Sequence, residues 1–302
     1  MFHLRSVRRA SQITSRAVFF HPRIVRPLQP CLRAAYSTTA SGPHPASTTP
    51  SPSSVNATEV SHFNALASSW WDPHGPSRLL HLMNPLRHRF ISQCLQTQVY
   101  PPDASTRHRY LDIGCGGGIF AESAARLPNT ESVTAIDPSP EVLAVAKQHQ
   151  KRDPLLLEHG RLTYLDASIE SLPHSSVPEG GFDIVSLFEV IEHIQHPSSF
   201  LSNVIPHVRP GGWLVLSTIA RSPVSWFTTK LMAERVLNIV PRGTHTWSQY
   251  INPAELEAWF TRDDGFWKPQ TMGVVYVPML GWKEVSGSEK IGNYFFGVQR
   301  KG

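Results

Sequence analysis

The sequence has few cysteines and no long apolar run. Its 302 residues include three cysteines, Cys31, Cys94 and Cys115, whose spacing fits neither a metal site nor a disulfide framework. Free thiols in a reducing compartment are therefore expected. No apolar run approaches the roughly 18 residues that cross a bilayer. With 40% hydrophobic residues, the chain can form one core of about 240 residues and carry a tail.

Acidic residues are absent from the start of the chain. The first is Glu59, whereas residues 1–36 carry seven arginines. An arginine-rich, serine-containing and acid-free segment predicts a mitochondrial transit peptide over residues 1–36, and a disordered basic tail is the alternative. Residues 37–55 are rich in serine, threonine and proline, which predicts a disordered linker.

The net charge of +5 comes from that basic segment. Without its seven arginines, 21 basic residues face 23 acidic ones. The part of the chain that folds is therefore close to neutral, and no binding to nucleic acid is expected.

A glycine cluster between a strand and a helix is the most informative stretch. Tyr110 to Ile113 has the pattern of a buried strand with one acid in it, glycines occupy positions 114, 116, 117 and 118, and a helix is expected from Ile119. Glycines allow the backbone to lie directly against a ligand, and a helix start offers free N–H groups. An ordinary tight turn is the alternative, but four glycines in five residues favour a loop that binds a nucleotide-like ligand.

The glycine spacing argues against a nicotinamide dinucleotide. The G-x-G-x-x-G fingerprint counted from Gly114 places Ile119 at the sixth position, and counted from Gly116 it starts two residues late. Asp137 ends the second predicted strand, 23 residues after Gly114, where such folds place a carboxylate for the ribose hydroxyls. The alternative for Asp137 is a helix cap before Pro138.

The rest of the chain alternates strands with helices, which predicts a mainly parallel sheet covered on both faces. An N-terminal helix is expected to end near Trp70, and a second is expected to begin at Asn84–Pro85. The strands are predicted at residues 110–113, 132–136, 162–165, 182–188, 213–218, 272–277 and 294–298.

Polar and aromatic residues follow the third and fourth predicted strands. Asp166 ends the third strand, where a surface carboxylate or cap is the alternative to a ligand group. Phe188 ends the fourth and can face a cofactor or pack in the core. On a helix, Glu189, Glu192 and His193 would share one face. Such a face suits a hard divalent ion such as Mg²⁺, or His193 serves as a base or cap without metal.

Residues 221–242 form an apolar and basic insertion after the fifth strand. Four basic residues there oppose one acid, Glu234. A basic amphipathic helix of this kind predicts contact with a membrane surface, and a lid helix packed on the core is the alternative.

Residues 111–118 resemble the first motif of class I methyltransferases, which bind S-adenosylmethionine. Over residues 56–299 the chain is similar to the mitochondrial ubiquinone biosynthesis O-methyltransferases. The more specific segments of this resemblance are residues 63–72, 80–87, 240–245 and 273–278. One departure is Ala220, where the family often has asparagine before the arginine, so a polar contact there is not expected.

The resemblance implies a fold and a set of site residues. The fold is α/β and Rossmann-like, with a mainly parallel seven-stranded sheet, helices on both faces, N-terminal helices, and the insertion after strand five, all within a methyltransferase domain at residues 56–302. Cofactor binding is implied for Arg87, Gly114, Gly116, Asp137, Asp166 (toward the adenine amino group) and Phe188. Glu189, Glu192 and His193 are implied to hold a divalent metal, and Glu189 and His193 to act in catalysis.

The resemblance also implies an activity and a setting. The reaction is transfer of a methyl group from S-adenosylmethionine to catechol hydroxyls of polyprenylated ubiquinone precursors, namely 3,4-dihydroxy-5-polyprenylbenzoate and demethylubiquinol. The implied location is the matrix side of the mitochondrial inner membrane, contacted through residues 221–242 within a multi-subunit biosynthetic complex. A class I methyltransferase acting on another small molecule or on a protein is the alternative.

Overall fold

The computed structural model describes residues 53–98, 105–227 and 247–302. The predicted transit peptide, most of the predicted linker and residues 228–242 of the predicted membrane-contacting insertion lie outside the described residues. These three remain predictions from the sequence.

An eight-stranded mixed sheet forms the centre of the described part of the chain. Its strands are β1 (His108–Ile113), β2 (Thr130–Asp137), β3 (Leu162–Asp166), β4 (Phe182–Phe188), β5 (Val208–Ile219), β6 (Gln270–Val277), β7 (Gly281–Glu284) and β8 (Asn293–Gln299). Their spatial order is β3-β2-β1-β4-β5-β8-β6-β7. The first five are mutually parallel, whereas β8, β6 and β7 add antiparallel pairs.

The predicted strands are all present, and β7 is an addition to them. It has only four residues and pairs with β6 through a tight hairpin. So short a segment shows no usable period in the sequence, which is why seven strands were predicted. Because β1, β2, β3 and β4 run in the same direction, the residues that follow them meet at one edge of the sheet.

Seven α-helices accompany the strands in the described residues. They are α1 (Ala57–Leu66), α2 (Arg78–Gln96), α3 (Ile119–Ala125), α4 (Pro140–Gln150), α5 (Pro197–Val204), α6 (Pro223–Ser225) and α7 (Pro253–Phe260). The predicted start of the second helix at Pro85 is wrong, because α2 begins at Arg78 and contains Pro85 in its interior. A proline in a helix interior removes one hydrogen bond, and the helix continues through it. None of the described helices is long and apolar enough to cross a membrane.

The hydrophobic core lies on both faces of the sheet, as predicted. The neighbouring residues Phe295 and Phe296 of β8 belong to different buried clusters, because successive side chains of a strand point to opposite faces. Phe90 of α2 packs with the first cluster, and Phe200 of α5 packs with the second. Helices therefore pack against both faces of the sheet.

Candidate active site

The glycines after β1 lie at the sheet edge between β1 and α3. Gly114, Gly116 and Gly118 have positive φ angles of 69°, 53° and 87°, which side chains with a Cβ rarely adopt. The N–H groups of Gly114 and Cys115 donate to the carbonyl of Ile136 at 2.9 and 3.0 Å. The loop is therefore fixed against β2, and the predicted strand, glycine loop and helix are confirmed.

Two tryptophans that follow α1 cover this loop. A Cβ on Gly116 would lie 2.3 Å from Cζ2 of Trp70, and one on Gly117 would lie 2.2 Å from Cδ1 of the same indole. Nε1 of Trp71 donates to the carbonyl of Gly117 at 2.9 Å. Part of the glycine pattern thus reflects packing against the N-terminal segment as well as room for a ligand. Sequence reasoning missed this contact because it joins residues 46 positions apart.

Replacing Gly117 with alanine is expected to lower the free energy of unfolding by about 1–3 kcal/mol, because the new methyl group overpacks against Trp70. Thermal denaturation measures the change. Gly265→Ala is the matched control, since a Cβ there has its nearest atom at 3.7 Å. Equal melting temperatures for the two variants would contradict the described contact between Trp70 and the loop.

Asp137 at the end of β2 is held between two backbone donors. Its carboxylate accepts hydrogen bonds from the N–H of Gly116 at 2.9 Å and from the N–H of Ser139 at 3.0 Å. The cap of α4 is Ser139, whose hydroxyl accepts from Val142 at 3.1 Å, so the capping role considered for Asp137 belongs to its neighbour. Burial raises the pKa of Asp137 to about 6, the two N–H donors oppose the rise, and nearby Asp166 adds to it.

From the predicted role of Asp137 as the acceptor for ribose hydroxyls, binding of S-adenosylhomocysteine is expected to weaken as the pH falls through about 6. A ribose hydroxyl donates well to the ionised carboxylate, so protonation of Asp137 removes the better acceptor. One pH unit below the pKa leaves roughly a tenth of the groups ionised, so affinity should be up to about tenfold lower at pH 5 than at pH 7. Calorimetry at several pH values measures this. Asp137→Asn should bind weakly and with little pH dependence; an unchanged slope in that variant would assign the effect to another group.

Arg87 and Phe188 contact each other in the lining of the same cavity as the glycine loop. Arg87 is buried, and its guanidinium carbon lies 5.0 Å from the centre of the Phe188 ring. Its Nε has no hydrogen-bond partner. Burial lowers the pKa of Arg87, and the carboxylates of Glu189 and Asp112 oppose that shift. A buried cation with an unused donor suits a ligand carboxylate, which would form a charge-assisted pair.

Asp112 is a buried acid to which sequence reasoning assigned no role. Its carboxylate accepts a hydrogen bond from the Ser186 hydroxyl at 2.7 Å. Burial raises the pKa of Asp112 to about 7, while Ser186 and Arg87 oppose the rise. The sequence signal for such a role was the position of Asp112 inside an otherwise apolar strand, because a buried carboxylate is costly unless it is hydrogen-bonded or paired.

Glu189, Glu192 and His193 do not lie on one face of an α-helix, so that prediction is wrong. Glu189 has a φ angle of 57°, and only Ile191–His193 form a single 3-10 turn after it. The chain therefore leaves β4 with a sharp change of direction before any helix begins. Among the described residues, no group of three histidine, cysteine or acidic side chains is arranged to hold a metal ion.

Each acid of this segment is bonded to a hydroxyl of β5. Glu189 accepts from the Ser217 hydroxyl at 2.7 Å, and Glu192 accepts through Oε2 from the Thr218 hydroxyl at 2.9 Å. Oε1 of Glu192 is buried with no partner. Burial, and next the charge of Glu189, raise the pKa of Glu192 to about 7, whereas His193 lowers it. The His193 ring meets Phe63 edge-on, with centroids 5.3 Å apart.

One continuous cavity of about 590 Å³ joins these groups. Its lining includes Arg87, Gly114, Gly116, Asp137, Phe188, Glu189, Glu192 and His193. Asp166 is exposed and does not line the cavity, although its successor Ala167 does. The predicted contact of Asp166 with an adenine amino group stays a prediction. Tyr276, Trp282 and Ile291 also line the cavity.

The arrangement fits a bound S-adenosylmethionine at this end of the cavity. Gly114 and Gly116 line the cavity with bare backbone, and Nε1 of Trp70 and Nε of Arg87 are buried donors with no hydrogen-bond partner among the described residues. A carboxylate for the ribose and a cation for the methionine carboxylate are therefore both present.

Comparisons with known proteins agree with this geometry. The family described as a methyltransferase domain matches residues 78–266. The mitochondrial ubiquinone biosynthesis O-methyltransferase of Candida albicans is 42% identical, over 82% of this chain and 86% of that protein. The corresponding protein of Schizosaccharomyces pombe is also 42% identical, over 82% and 87%. The ubiquinone biosynthesis O-methyltransferase of Xanthomonas axonopodis pv. citri is 35% identical, over 82% and 96%.

Solved structures support the fold at lower identity. The plantazolicin methyltransferase BpumL in complex with a monoazolic desmethylPZN analog and S-adenosylhomocysteine is 17% identical with a TM-score of 0.53, covering 81% of this chain and 97% of that one. A possible histamine N-methyltransferase from Thermotoga maritima is 18% identical with a TM-score of 0.51, covering 81% and 99%. The glycine loop, the carboxylate at the end of β2 and the identity shared with the fungal and bacterial proteins lead to one conclusion: the chain belongs to the ubiquinone biosynthesis O-methyltransferase family of class I methyltransferases.

Proposed function

We propose that this protein is an S-adenosylmethionine-dependent O-methyltransferase that methylates catechol hydroxyls of polyprenylated ubiquinone precursors. The observation that carries the proposal is the single cavity that joins the glycine loop, Asp137 and Arg87 to Glu189 and His193. A methyl donor and a hydroxyl acceptor can thus meet inside it. The names of the relatives support the choice of an O-methyl transfer in ubiquinone biosynthesis.

The residues at the cofactor end bind and orient. S-adenosylmethionine supplies a methyl carbon activated by a positively charged sulfur. Asp137 accepts from the ribose hydroxyls, Arg87 pairs with the methionine carboxylate, and Phe188 packs beside them. Holding the acceptor oxygen in line with the methyl carbon and sulfur contributes on the order of 7–11 kcal/mol to lowering the barrier.

The residues at the acceptor end handle a proton. The catechol hydroxyl gives its proton to His193, its oxygen forms the bond to the methyl carbon, and the electron pair of the carbon–sulfur bond stays on sulfur. The products are the methyl ether, S-adenosylhomocysteine and a protonated base. Glu192, which lines the same cavity, stabilises the imidazolium that forms.

The proposed function includes a bound divalent cation, for which Mg²⁺ is the best match. The donor set of Glu189, Glu192 and His193 suits a hard ion, and Oε1 of Glu192 is a buried oxygen without a partner. Ser217 engages Glu189 in the described arrangement, so a cation site requires that carboxylate to turn. When bound, the cation would lower the pKa of the catechol hydroxyl. With the cation bound through His193, the coordinating ring nitrogen would be occupied and solvent would accept the proton; without the cation, His193 accepts it.

The acceptors proposed are 3,4-dihydroxy-5-polyprenylbenzoate and demethylubiquinol. The basic N-terminus and the names of the fungal relatives support a mitochondrial location. Peripheral contact with the matrix side of the inner membrane through residues 221–242, and membership of a biosynthetic complex, are further proposals. The amphipathic composition of that insertion supports the membrane contact.

The test is a methyl-transfer assay with isotopically labelled S-adenosylmethionine and a short-tailed 3,4-dihydroxybenzoate, followed by mass spectrometry. We expect label in one ring methyl ether, and lower turnover after treatment with a chelator if the cation acts as proposed. A protein or amine that accepts the label while the catechol does not would replace the proposed acceptor. Full turnover in the presence of chelator would show that no cation is required, and the rest of the proposal would be unaffected.

A further inference from the structure

The tip of the β6–β7 hairpin exposes two large apolar side chains. Met279 is 99% exposed and Leu280 is 66% exposed. Met279 also has a φ angle of 66°, a left-handed conformation that is costly for a residue with a Cβ. The N–H of Leu280 donates to the carbonyl of Val277 at 3.0 Å, so the turn is ordered. Packing among residues 53–98, 105–227 and 247–302 does not explain why these side chains point outward.

The tip stands at the mouth of the active-site cavity. Tyr276 and Pro278 before the tip and Trp282 after it all line the cavity. Nε1 of Trp282 donates to the carbonyl of Leu79 in α2 at 3.0 Å. The hairpin is therefore fixed to the body of the protein beside the opening.

Further exposed apolar residues adjoin the same opening. Val224, Val275 and Ile291 line the cavity and are 47%, 37% and 44% exposed. The segments of Val224 and Ile291 are joined, because the Ser222 hydroxyl donates to the carbonyl of Ile291 at 2.7 Å. We call Val224, Val275, Met279, Leu280 and Ile291 the mouth rim.

The charges near the hairpin favour an anionic surface. Arg78, which donates to the Tyr276 hydroxyl at 3.3 Å, and Lys283, which pairs with Val275 across the hairpin, are both exposed. Glu284 is paired with Arg89 at 2.9 Å. Apolar side chains flanked by cations are the pattern by which proteins dock at the interface of a bilayer that contains anionic lipid.

We propose that the mouth rim docks on the surface of such a bilayer, with Met279 and Leu280 inserted at the level of the acyl chains, so that the cavity opens toward the membrane. The proposal rests on the proposed function, because only an acceptor with a membrane-bound polyprenyl tail requires the cavity to open toward the bilayer. It extends the predicted contact at residues 221–242, with which it shares Val224, by a hairpin that lies more than 30 positions further along the chain. A polyprenyl tail can then remain in the lipid while its catechol ring reaches His193.

The test uses a position-specific probe in the full chain. A Cys31→Ser background leaves Cys94 and Cys115, which are buried, so an environment-sensitive dye can be attached at Met279→Cys. The matched control is Leu157→Cys, which is 54% exposed and does not line the cavity. The vesicles contain equal parts of phosphatidylcholine and phosphatidylglycerol, with a nitroxide-labelled acyl chain as quencher. We expect strong quenching at position 279 and little at 157.

A kinetic arm links docking to substrate access. The double variant Met279→Ser, Leu280→Ser should raise KM roughly tenfold for a long-tailed catechol presented in vesicles, because two apolar side chains no longer enter the lipid. Its KM for a short-tailed catechol in solution should not change. Equal quenching at both positions, or dimerisation that is lost in the double variant without any quenching, would overturn the proposal. Failure to methylate any catechol would refute the proposed function, while the quenching result would still decide the docking.

Discussion

Replacing His193 with alanine is expected to lower kcat for catechol methylation by roughly 10²–10⁴-fold, the range typical of a lost general base. Affinity for S-adenosylhomocysteine should stay within about threefold of the parent, because the cofactor is assigned to Arg87, the glycine loop and Asp137, and one ordinary contact is worth little. Steady-state kinetics at saturating donor, together with calorimetry, separate the two effects.

His196→Ala is the matched control for that variant. His196 lies three residues further on, is exposed and does not line the cavity that contains His193. Its removal should leave kcat nearly unchanged. If both alanine variants kept full activity, proton transfer by His193 would be contradicted, and ionisation of the catechol would have to be assigned to another group.

Replacing Asp137 with alanine is expected to weaken binding of S-adenosylhomocysteine by roughly 10²- to 10⁴-fold. The variant loses a charged acceptor for two ribose hydroxyls, and hydrogen bonds to charged groups contribute about 1.5–3 kcal/mol each. It also leaves the N–H groups of Gly116 and Ser139 without the acceptor that now holds them. Calorimetry gives the affinity, and circular dichroism checks that the variant is folded.

Asp166→Ala is the matched control for the Asp137 variant. Asp166 ends the neighbouring strand and is paired in register with Asp137, but it is exposed. One ordinary hydrogen bond is worth about 1 kcal/mol, so its loss should weaken binding by no more than roughly tenfold. An Asp137→Ala variant that bound as tightly as the parent would remove Asp137 from the cofactor site.

Local sequence patterns were sufficient for seven of the eight strands, for the glycine loop after β1 and for the acid at the end of β2. The glycine cluster after Ile113 and the acid at Asp137 could be placed because parallel strands bring their carboxyl ends to one sheet edge. Phe188 was singled out by its place at the end of the fourth strand and Arg87 by resemblance alone, and the structure places the guanidinium carbon of Arg87 5.0 Å from the centre of the Phe188 ring.

Features that depend on distant contacts or on single backbone angles could not be read from the pattern. The packing of Trp70 on Gly117 is set by tertiary structure, and the left-handed conformation of Glu189 breaks the helical spacing that its sequence offers. Helix periodicity assumes regular dihedral angles, and a single residue at positive φ cancels that assumption. The hairpin tip at Met279 likewise depends on the pairing of β7 with β6, which the sequence pattern does not show.

Titration calorimetry of the parent protein with S-adenosylhomocysteine tests the central claim most directly. The account predicts saturable heat with S-adenosylhomocysteine, a 1:1 stoichiometry, and no heat with nicotinamide adenine dinucleotide under the same conditions. Binding of the dinucleotide with no response to S-adenosylhomocysteine would contradict the account.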